Sequence, residues 1–454
     1  MTTALSISTL PYSSDPLNLF DALRQRPGAV LLDSGRPVAQ GRFDIISSDP
    51  VATLEVSAEG VSALLTAEPE FPPLPPGDSF AQQQWLLEQL PGQCADASAL
   101  ASELPFMGGL IGYWGYDLGR ERLIDAQQPD VTSLPQARLG LYDWCITLDH
   151  ATREAWLVAT DERRKQVLAW LEAPTASASF RLTEPFKSEL EHRDYAERFD
   201  AVQRYIRAGD CYQINLAQRF SAAYEGDEWQ AYLRLRNATP TPFSGFMAWD
   251  KQAVLSVSPE RFIQSRNGRV ETRPIKGTRP RGATPQEDSA LAEQLLSSTK
   301  DRAENVMIVD LLRNDLGRVC QPGTISVPQL CQLESYPNVH HLVSVVQGEL
   351  AHSASPIALL SAAFPGGSIT GAPKIRAMQI IAELEPCQRS VYCGSLGYVD
   401  VRGSMDTSIT IRTFAASEGR LHVWGGGGLV ADSTLDEEYT ETLDKIRHLI
   451  KALE

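Results

Sequence analysis

The sequence has no apolar run of about 18 residues, the length that a membrane-spanning helix needs. Its first twenty residues also lack a basic stretch followed by an apolar core, so no secretory signal peptide is indicated. The 7 cysteines form no CxxC pair, and their odd number favours free thiols in a reducing compartment. These absences predict a cytoplasmic protein that has no membrane contact.

Positive charge is also scarce, since 41 lysines and arginines face 57 acidic residues and give a formal net charge of −16. A surface that binds phosphate backbones needs a basic face, so no nucleic-acid partner is expected. The chain has 454 residues, of which 43% are hydrophobic, enough for a large core and two or three domains.

Two segments predict breaks in regular structure. Residues 66–79 are rich in proline, and residues 171–190 mix Ala, Ser, Thr and Pro without a period. Strand patterns at residues 141–148 and 155–159 lie between them. We therefore expect a β-rich N-terminal accessory region at residues 1–185, followed by a second domain at residues 186–454.

The second region mixes both periodicities. Alternating patterns predict strands at residues 253–257, 391–401, 408–414 and 421–424. Helical patterns cover residues 193–208, 303–312, 373–384 and 435–453. Strands often follow strands here, which favours an α+β fold with antiparallel sheets over a doubly wound parallel sheet.

Lys276 stands between Pro274 and Gly277, with arginines at positions 273, 279 and 281. Crowded cations make an ammonium group easier to deprotonate, which is one way to obtain a nucleophilic lysine. A solvated basic loop explains the same residues. The segment alone leaves both interpretations open.

Two glycine-rich segments are candidates for ligand contact. Residues 364–374 form a turn that leads into a helix, whose free N–H groups suit a carboxylate or phosphate. A well-capped tight turn is the alternative. The four glycines at residues 425–428 follow a strand, which indicates close approach of another group to the backbone. A mobile hairpin end is the alternative there.

Two helices carry grouped acidic residues. Asp301 and Glu304 share one helical face, and Glu438, Glu441 and Lys445 cluster on the last helix. Carboxylates without His or Cys ligands suit Mg²⁺ better than Zn²⁺. Each helix by itself is also explained by a solvated face.

Taken together, these segments resemble the chorismate-utilising enzymes, which include anthranilate, isochorismate, salicylate and aminodeoxychorismate synthases. The matching pieces are residues 211–215, 258–262, 274–278, 301–305, 341–344, 367–374, 405–412, 425–428 and 438–445. The resemblance implies an antiparallel β-sheet sandwich core flanked by helices. It also makes residues 186–454 the chorismate-binding catalytic domain.

One residue points to a branch of this family. Anthranilate synthases typically have Ala in the PIxGT motif, whereas aminodeoxychorismate synthases have Lys, as Lys276 here. Gln213 stands where isochorismate and salicylate synthases carry a base lysine. The resemblance therefore implies conversion of chorismate and ammonia to 4-amino-4-deoxychorismate, for p-aminobenzoate and folate synthesis. Anthranilate synthesis is the alternative in this class, and a non-catalytic module that binds chorismate or tryptophan is the alternative outside it.

The resemblance also implies roles for individual residues. Lys276 is the covalent nucleophile and Glu260 the acid, while Glu304 and Glu441, with Glu438 close by, hold Mg²⁺. The residues expected to orient chorismate are Gly277, Thr278, His341, Ser368, Tyr398, Arg412, Gly426, Gly427 and Gly428. Ammonia is expected from a separate glutamine amidotransferase subunit, because the sequence lacks that enzyme's nucleophile pattern.

A second small-molecule site is implied in the accessory region. Related anthranilate synthases bind tryptophan there, through a serine in a Leu-Leu-x-Ser segment that Ser34 matches. The rest of the expected pocket is Arg42, Phe43, Pro242, Phe243 and Ser244. Asp33 replaces the usual Glu before the serine, so we expect tryptophan as a buried structural ligand more than as an inhibitor. A pocket closed by its own side chains is the alternative.

Overall fold

The computed structural model describes residues 5–35, 41–90, 99–124, 128–172, 178–336 and 339–454. Its strands are β1 (Ser6–Leu10), β2 (Val30–Asp33), β3 (Phe43–Ser47), β4 (Ala52–Val56), β5 (Ser62–Thr66), β6 (Gly109–Trp114), β7 (Ala137–Tyr142), β8 (Cys145–Asp149), β9 (Glu154–Ala159), β10 (Phe180–Leu182), β11 (Lys187–Ser188), β12 (Gln213–Gly226), β13 (Phe243–Trp249), β14 (Gln252–Ser258), β15 (Arg261–Arg266), β16 (Arg269–Thr272), β17 (Ile275–Pro280), β18 (Ser326–Ser335), β19 (Val339–Glu349), β20 (Gly371–Ala372), β21 (Ser395–Asp400), β22 (Met405–Ile409), β23 (Thr413–Ser417) and β24 (Arg420–Leu429).

The α-helices are α1 (Leu17–Leu23), α2 (Ser79–Leu87), α3 (Ala99–Glu103), α4 (Tyr116–Leu123), α5 (Asp161–Leu171), α6 (His192–Ala208), α7 (Glu228–Ala238), α8 (Pro285–Ser297), α9 (Thr299–Leu316), α10 (Pro356–Ala363), α11 (Lys374–Leu384) and α12 (Leu435–Leu453). A 3-10 turn covers Gly367–Ile369. Over the described ranges, no helix is both long and apolar enough to cross a bilayer.

The strands form two sheets whose pairings are antiparallel. The first runs β1-β9-β8-β3-β2-β13-β14-β23-β24-β12-β10, with β11 and β20 also paired to β12. The second runs β17-β19-β16-β15-β22-β21-β6-β7-β4-β5, with β18 paired to β19. The predicted α+β class with an antiparallel sandwich is confirmed.

The core lies between the sheets and on the outer face of the first one. Consecutive residues of β14 show this, since Val254 packs into the cluster that joins both sheets. Leu255 points the opposite way, into a cluster that also contains Trp229 of α7 and Ile446 of α12. Because both faces of β14 are covered, its residues 253–255 are all apolar rather than alternating with polar ones.

Strands from both parts of the chain share each sheet. β2 pairs with β13 in the first sheet, and β6 pairs with β21 in the second. The division at residue 185 stays a prediction about domain organisation, and in the described chain it is not a boundary between sheets.

The four predicted helices correspond to α6, α9, α11 and α12. Predicted strands were less accurate at their ends. Residues 141–148 belong to two strands, β7 and β8, and the 391–401 pattern becomes a strand only at Ser395. The pattern at residues 408–414 is broken where Arg412 has a φ of 53°, a conformation that cannot continue a strand.

The segment at residues 171–190 contains more regular structure than predicted. Residues 173–177 lie outside the described part, but β10 and β11 both pair with the long strand β12. The proline-rich segment after β5 has no regular structure before α2 begins at Ser79.

Candidate active site

A cavity of about 600 Å³ opens between β17, β24, α9 and α12. It brings together the predicted nucleophile, acid and metal carboxylates and most of the predicted chorismate residues. The predicted residues that line it are Glu260, Lys276, Gly277, Thr278, Glu304, His341, Ser368, Arg412, Gly426, Gly428, Glu438 and Glu441.

Lys276 reaches this cavity because β17 is irregular beside it. The register with β19 shifts between Ile275 and Thr278, and Gly277 has a φ of 80° that favours glycine. Lys276 Nζ lies 3.4 Å from the Ser368 carbonyl oxygen. Burial lowers the pKa of Lys276, while the Glu304 carboxylate acts to raise it. The lowered pKa favours the neutral amine that a nucleophile requires.

The crowded-arginine explanation for this lysine is wrong, because each arginine is paired with a carboxylate. Arg273 pairs with Glu334, Arg279 with Asp301 over 3.2 Å, and Arg281 with Asp288 over 2.6 Å. Burial has the largest effect on the pKa of Lys276. The cation that lowers this pKa further is Lys445 of α12, which lies 169 positions away in the sequence.

Glu260 follows β14 and is buried. Burial raises its pKa to about 7, and the Lys276 ammonium acts in the opposite direction. A hydrogen bond from the Ser368 side chain also favours the ionised form. Ser368 therefore contacts both reactive groups, Lys276 through its carbonyl and Glu260 through its hydroxyl. A carboxylic acid with a pKa near 7 is suited to donating a proton at neutral pH.

Two polar residues on neighbouring strands complete the basic side of the cavity. The Thr278 hydroxyl is 2.9 Å from Nδ1 of His341. Burial lowers the pKa of His341 to about 4, and Arg412 adds to the effect. Thus His341 is neutral at pH 7, and Arg412 supplies the positive charge for an anionic ligand.

The glycine run is part of β24, so the mobile-hairpin alternative is wrong. The glycines are needed because other groups lie against the strand on both faces. A Cβ on Gly427 would be 2.9 Å from Glu438 Oε2, and one on Gly426, on the opposite face, would be 2.7 Å from the Tyr392 hydroxyl oxygen. Gly427 therefore contacts the carboxylates of α12, although it is not among the residues that line the cavity.

The three carboxylates from α9 and α12 differ in their ionisation. Burial raises the pKa values of Glu304 and Glu438. Burial also acts to raise the pKa of Glu441, but the ion pair with Lys445 lowers it overall. In the described residues, no group of three or more His, Cys, Asp or Glu side chains is arranged as a metal centre. However, Glu438 Oε2 is buried without a hydrogen-bond partner. Buried polar atoms normally have a partner, and a bound cation would provide one here.

Tyr398 is a correction to the predicted chorismate residues. Leu396 and Tyr398 lie two apart on β21, so they share a face, and both line a different cavity. The Tyr398 ring lies 5.5 Å from the ring of Phe106. The aromatic wall of the active-site cavity is instead Tyr392 stacked on Trp424, at 6.0 Å and 5°. These two were missed, although they stand beside a Cys-Gly turn and the glycine run.

The other cavity, of about 230 Å³, contains most of the predicted tryptophan residues. Arg42, Phe43, Pro242, Phe243 and Ser244 line it, together with Tyr398. Ser34 does not line it, and its hydroxyl donates to Asp44 over 2.7 Å.

Comparison with known proteins supports the family that the motifs indicate. The family model described as chorismate binding enzyme matches residues 42–451. The chain belongs to the chorismate-binding enzyme family. The resemblance that the motifs indicated is thereby confirmed.

Several family members are similar over the whole chain. Aminodeoxychorismate synthase component 1 of Klebsiella aerogenes is 48% identical over 98% of this chain and 98% of its own. The protein of the same name from Escherichia coli is 45% identical over 99% and 98%. Anthranilate synthase component 1 of Thermus thermophilus is 41% identical, but over 77% and 78%.

A solved structure from the family has the same fold. Anthranilate synthase component I from Streptococcus pneumoniae superposes with a TM-score of 0.77 at 30% identity. The superposition covers 91% of this chain and 93% of the other.

Proposed function

We propose that this family member is the chorismate-converting component of an aminodeoxychorismate synthase. The observation that carries the proposal is that Lys276 and Glu260 both contact Ser368 inside one cavity. Two relatives named aminodeoxychorismate synthase component 1 are 48% and 45% identical over almost the full chain, higher than the 41% and 35% of two anthranilate synthase relatives. The product, 4-amino-4-deoxychorismate, supplies p-aminobenzoate and folate synthesis.

The reaction proceeds in two displacements. The neutral Lys276 amine forms a bond to C2 of chorismate while the ring double bonds shift and the C4–O bond breaks. Glu260 gives its proton to the departing hydroxyl, which leaves as water. Ammonia then bonds to C4, the double bonds shift back, and the C2–N bond to Lys276 breaks. The carboxylate of Glu260 takes the surplus proton from the attacking ammonia.

The walls of the cavity orient chorismate, a dianion. Arg412 and His341 provide a cation and a neutral imidazole on one side, and Gly277 and Thr278 lie beside them. The strand backbone at Gly426 and Gly428 is accessible on the other side.

Glu304 and Glu441, with Glu438, would hold Mg²⁺. Two or three carboxylates suffice, because Mg²⁺ usually keeps several waters and takes further oxygens from its substrate. The partnerless Glu438 Oε2 supports this assignment. When bound, the ion acts as a Lewis acid that withdraws charge from the ring carboxylate.

Ammonia comes from a separate glutamine amidotransferase subunit in this proposal. The relatives' name, component 1, supports a partner. The cytoplasm is the proposed compartment, and the free state of the six described cysteines supports it.

Incubation of the purified chain with chorismate, Mg²⁺ and ammonium salt tests the proposal. We expect a product that retains the enolpyruvyl group and carries an amine at C4, identified by mass. A fluorescent product formed with release of pyruvate would instead establish anthranilate synthesis. No consumption of chorismate would favour the non-catalytic binding module. Glutamine without the partner should give no product.

We also propose tryptophan as a ligand of the second cavity. Its apolar and aromatic wall includes Phe43, Phe243 and Tyr398, and Arg42, which is paired with Asp149, lies at one side. The Ser265 hydroxyl is buried there without a partner, which supports an occupant that can bond to it. A ligand enclosed in this way stabilises the fold, and the stabilisation grows with the logarithm of its affinity.

A further inference from the structure

Arg389 is a buried cation directly behind the active-site cavity, in the turn between α11 and β21. Its guanidinium pairs with Glu385 over 2.6 and 2.8 Å. The same group donates to the carbonyl oxygens of Ile369 at 2.8 Å and Asn215 at 2.6 Å. Its central carbon lies 4.8 Å from the Tyr116 ring and 5.7 Å from the Tyr392 ring. The guanidinium is therefore fixed by hydrogen bonds to a carboxylate and two carbonyls and by contact with two aromatic rings.

The Ile369 carbonyl receives a second donor, because Asn215 Nδ2 lies 2.8 Å from it. The backbone N–H of Asn215 in turn donates to the Thr370 carbonyl over 2.8 Å. Arg389 and β12 thus fix the peptides on the C-terminal side of Ser368. Ser368 itself contacts Lys276 and Glu260. The Arg389 guanidinium is therefore linked to both reactive groups through the Ser368–Ile369 segment.

We propose that Arg389 is a positioning residue, which holds the Ser368–Ile369 segment so that Lys276 and Glu260 keep their mutual arrangement. The roles of Lys276 and Glu260 rest on the function proposed above. Arg389 touches neither reactive group, and its effect is transmitted through main-chain carbonyls. Lysine cannot replace it, because one ammonium group cannot bridge two carbonyls and a carboxylate as a planar guanidinium does.

The variant Arg389→Lys tests the proposal, with Arg402→Lys as matched control. Arg402 also pairs with a carboxylate, Asp400, and donates to two main-chain carbonyls, but it lies outside the active-site cavity. For Arg389→Lys we expect kcat for chorismate consumption to fall about 10- to 100-fold, since small misplacements of reacting groups have effects of that size. KM should stay within about threefold. The control should retain both constants.

The pH dependence of kcat distinguishes a displaced Ser368 from a cavity that merely admits more water. If Ser368 is displaced, Glu260 loses a hydrogen bond that favours its ionised form, so its pKa rises and the alkaline limb moves to higher pH. If the variant only admits water, the burial that raises this pKa is relieved, and the limb moves to lower pH. A shift to lower pH, or kcat unchanged, overturns the proposal.

A measurement independent of turnover distinguishes this inference from the proposed function. Amine labelling followed by peptide mass mapping reports each lysine separately. The Ser368 carbonyl favours the protonated amine, so its displacement should make Lys276 label at least about threefold faster. Lys300 and Lys445, in the same cavity, should label at wild-type rates. Unchanged labelling of Lys276 contradicts the proposal even if the protein proves inactive on chorismate.

A milder variant covers the case in which Arg389→Lys does not fold. Asn215→Ala removes one of the two donors to the Ile369 carbonyl and leaves Arg389 in place. We expect the same changes in kcat, pH limb and Lys276 labelling, each smaller. Wild-type behaviour of this variant in all three measurements would show that the Ile369 carbonyl does not control the site.

Discussion

The Lys445 ammonium donates to the Glu441 carboxylate over 2.7 Å and to the Gly426 carbonyl over 2.8 Å. One side chain thus links a proposed metal ligand to the strand that forms the opposite wall. Its positive charge keeps the pKa of Glu441 low despite burial, whereas burial raises the pKa values of Glu304 and Glu438. The carboxylates therefore do not become available to a cation at the same pH.

Replacement of the metal carboxylates should weaken Mg²⁺ binding. Glu304→Gln and Glu441→Gln each remove a negative ligand from a hard cation, so we expect the Mg²⁺ dissociation constant to rise about tenfold or more. Glu437→Gln, exposed on the same helix as Glu441, is the control. Calorimetric titration with Mg²⁺ measures the change without turnover. Titrations identical to wild type would place the metal elsewhere.

The same titration should depend on pH. A raised pKa means that Glu304 and Glu438 bind protons more readily than ordinary carboxyls, so protons compete with Mg²⁺ as the pH falls. We expect affinity to fall from neutral pH towards pH 5. Affinity that is constant over this range would contradict the assignment of these two ligands.

Lys276→Ala should abolish formation of aminodeoxychorismate, because the variant lacks the amine that forms the covalent bond to C2. Intact-mass spectrometry of the wild type should detect an adduct on Lys276 when chorismate is supplied without ammonia. Lys251→Ala, at the exposed turn after β13, should retain activity and the adduct. Full activity of Lys276→Ala would remove the covalent role.

Glu260 should make both activity and stability depend on pH. Its acid form is required, so kcat should fall as the pH rises through about 7. Because the folded-state pKa is above that of the unfolded chain, ionisation of Glu260 destabilises the fold as pH rises from 4.5 to about 7. Glu260→Gln lacks this loss and should gain up to about 3 kcal/mol relative to wild type, at about 1.4 kcal/mol per pH unit. Urea unfolding at pH 5 and pH 8 measures it, and equal differences at both would contradict the raised pKa.

The second cavity should yield tryptophan when the purified protein is denatured. Added tryptophan should raise the melting temperature of protein from which the ligand was removed. Because Asp33 stands in place of the usual Glu, we expect little inhibition of turnover by tryptophan. Neither release nor a thermal shift would mean that the cavity is closed by its own side chains.

The sequence predicted the members of the active site better than the reasons for their properties. Motif matching selected Lys276, Glu260 and the three glutamates, and the structure places them at one cavity, since a family's motifs mark positions that its fold makes adjacent. The arginine neighbours of Lys276 were misleading, because their carboxylate partners Glu334, Asp301 and Asp288 lie on other elements. Sequence proximity does not reveal which charges are neutralised in space.

Long helices were predicted more accurately than strands. α12 was placed residue for residue because its apolar period persists through nineteen positions. The break at Arg412 depends on one left-handed residue, which has no sequence signal in an Arg. Tyr398 was assigned to the wrong cavity because the face to which a strand residue points depends on register, which the sequence does not contain.

The shared sheets also determine how this chain can be shortened. Removal of the first 185 residues would delete β1 to β10 and leave β13 and β21 as bare edges at the points where each sheet now continues into the deleted strands. Unpaired edges of this kind recruit strands from other chains and lead to aggregation. A minimal catalytic fragment is therefore not obtainable by truncation, and fusion partners should be attached at the termini and not inserted at residue 185.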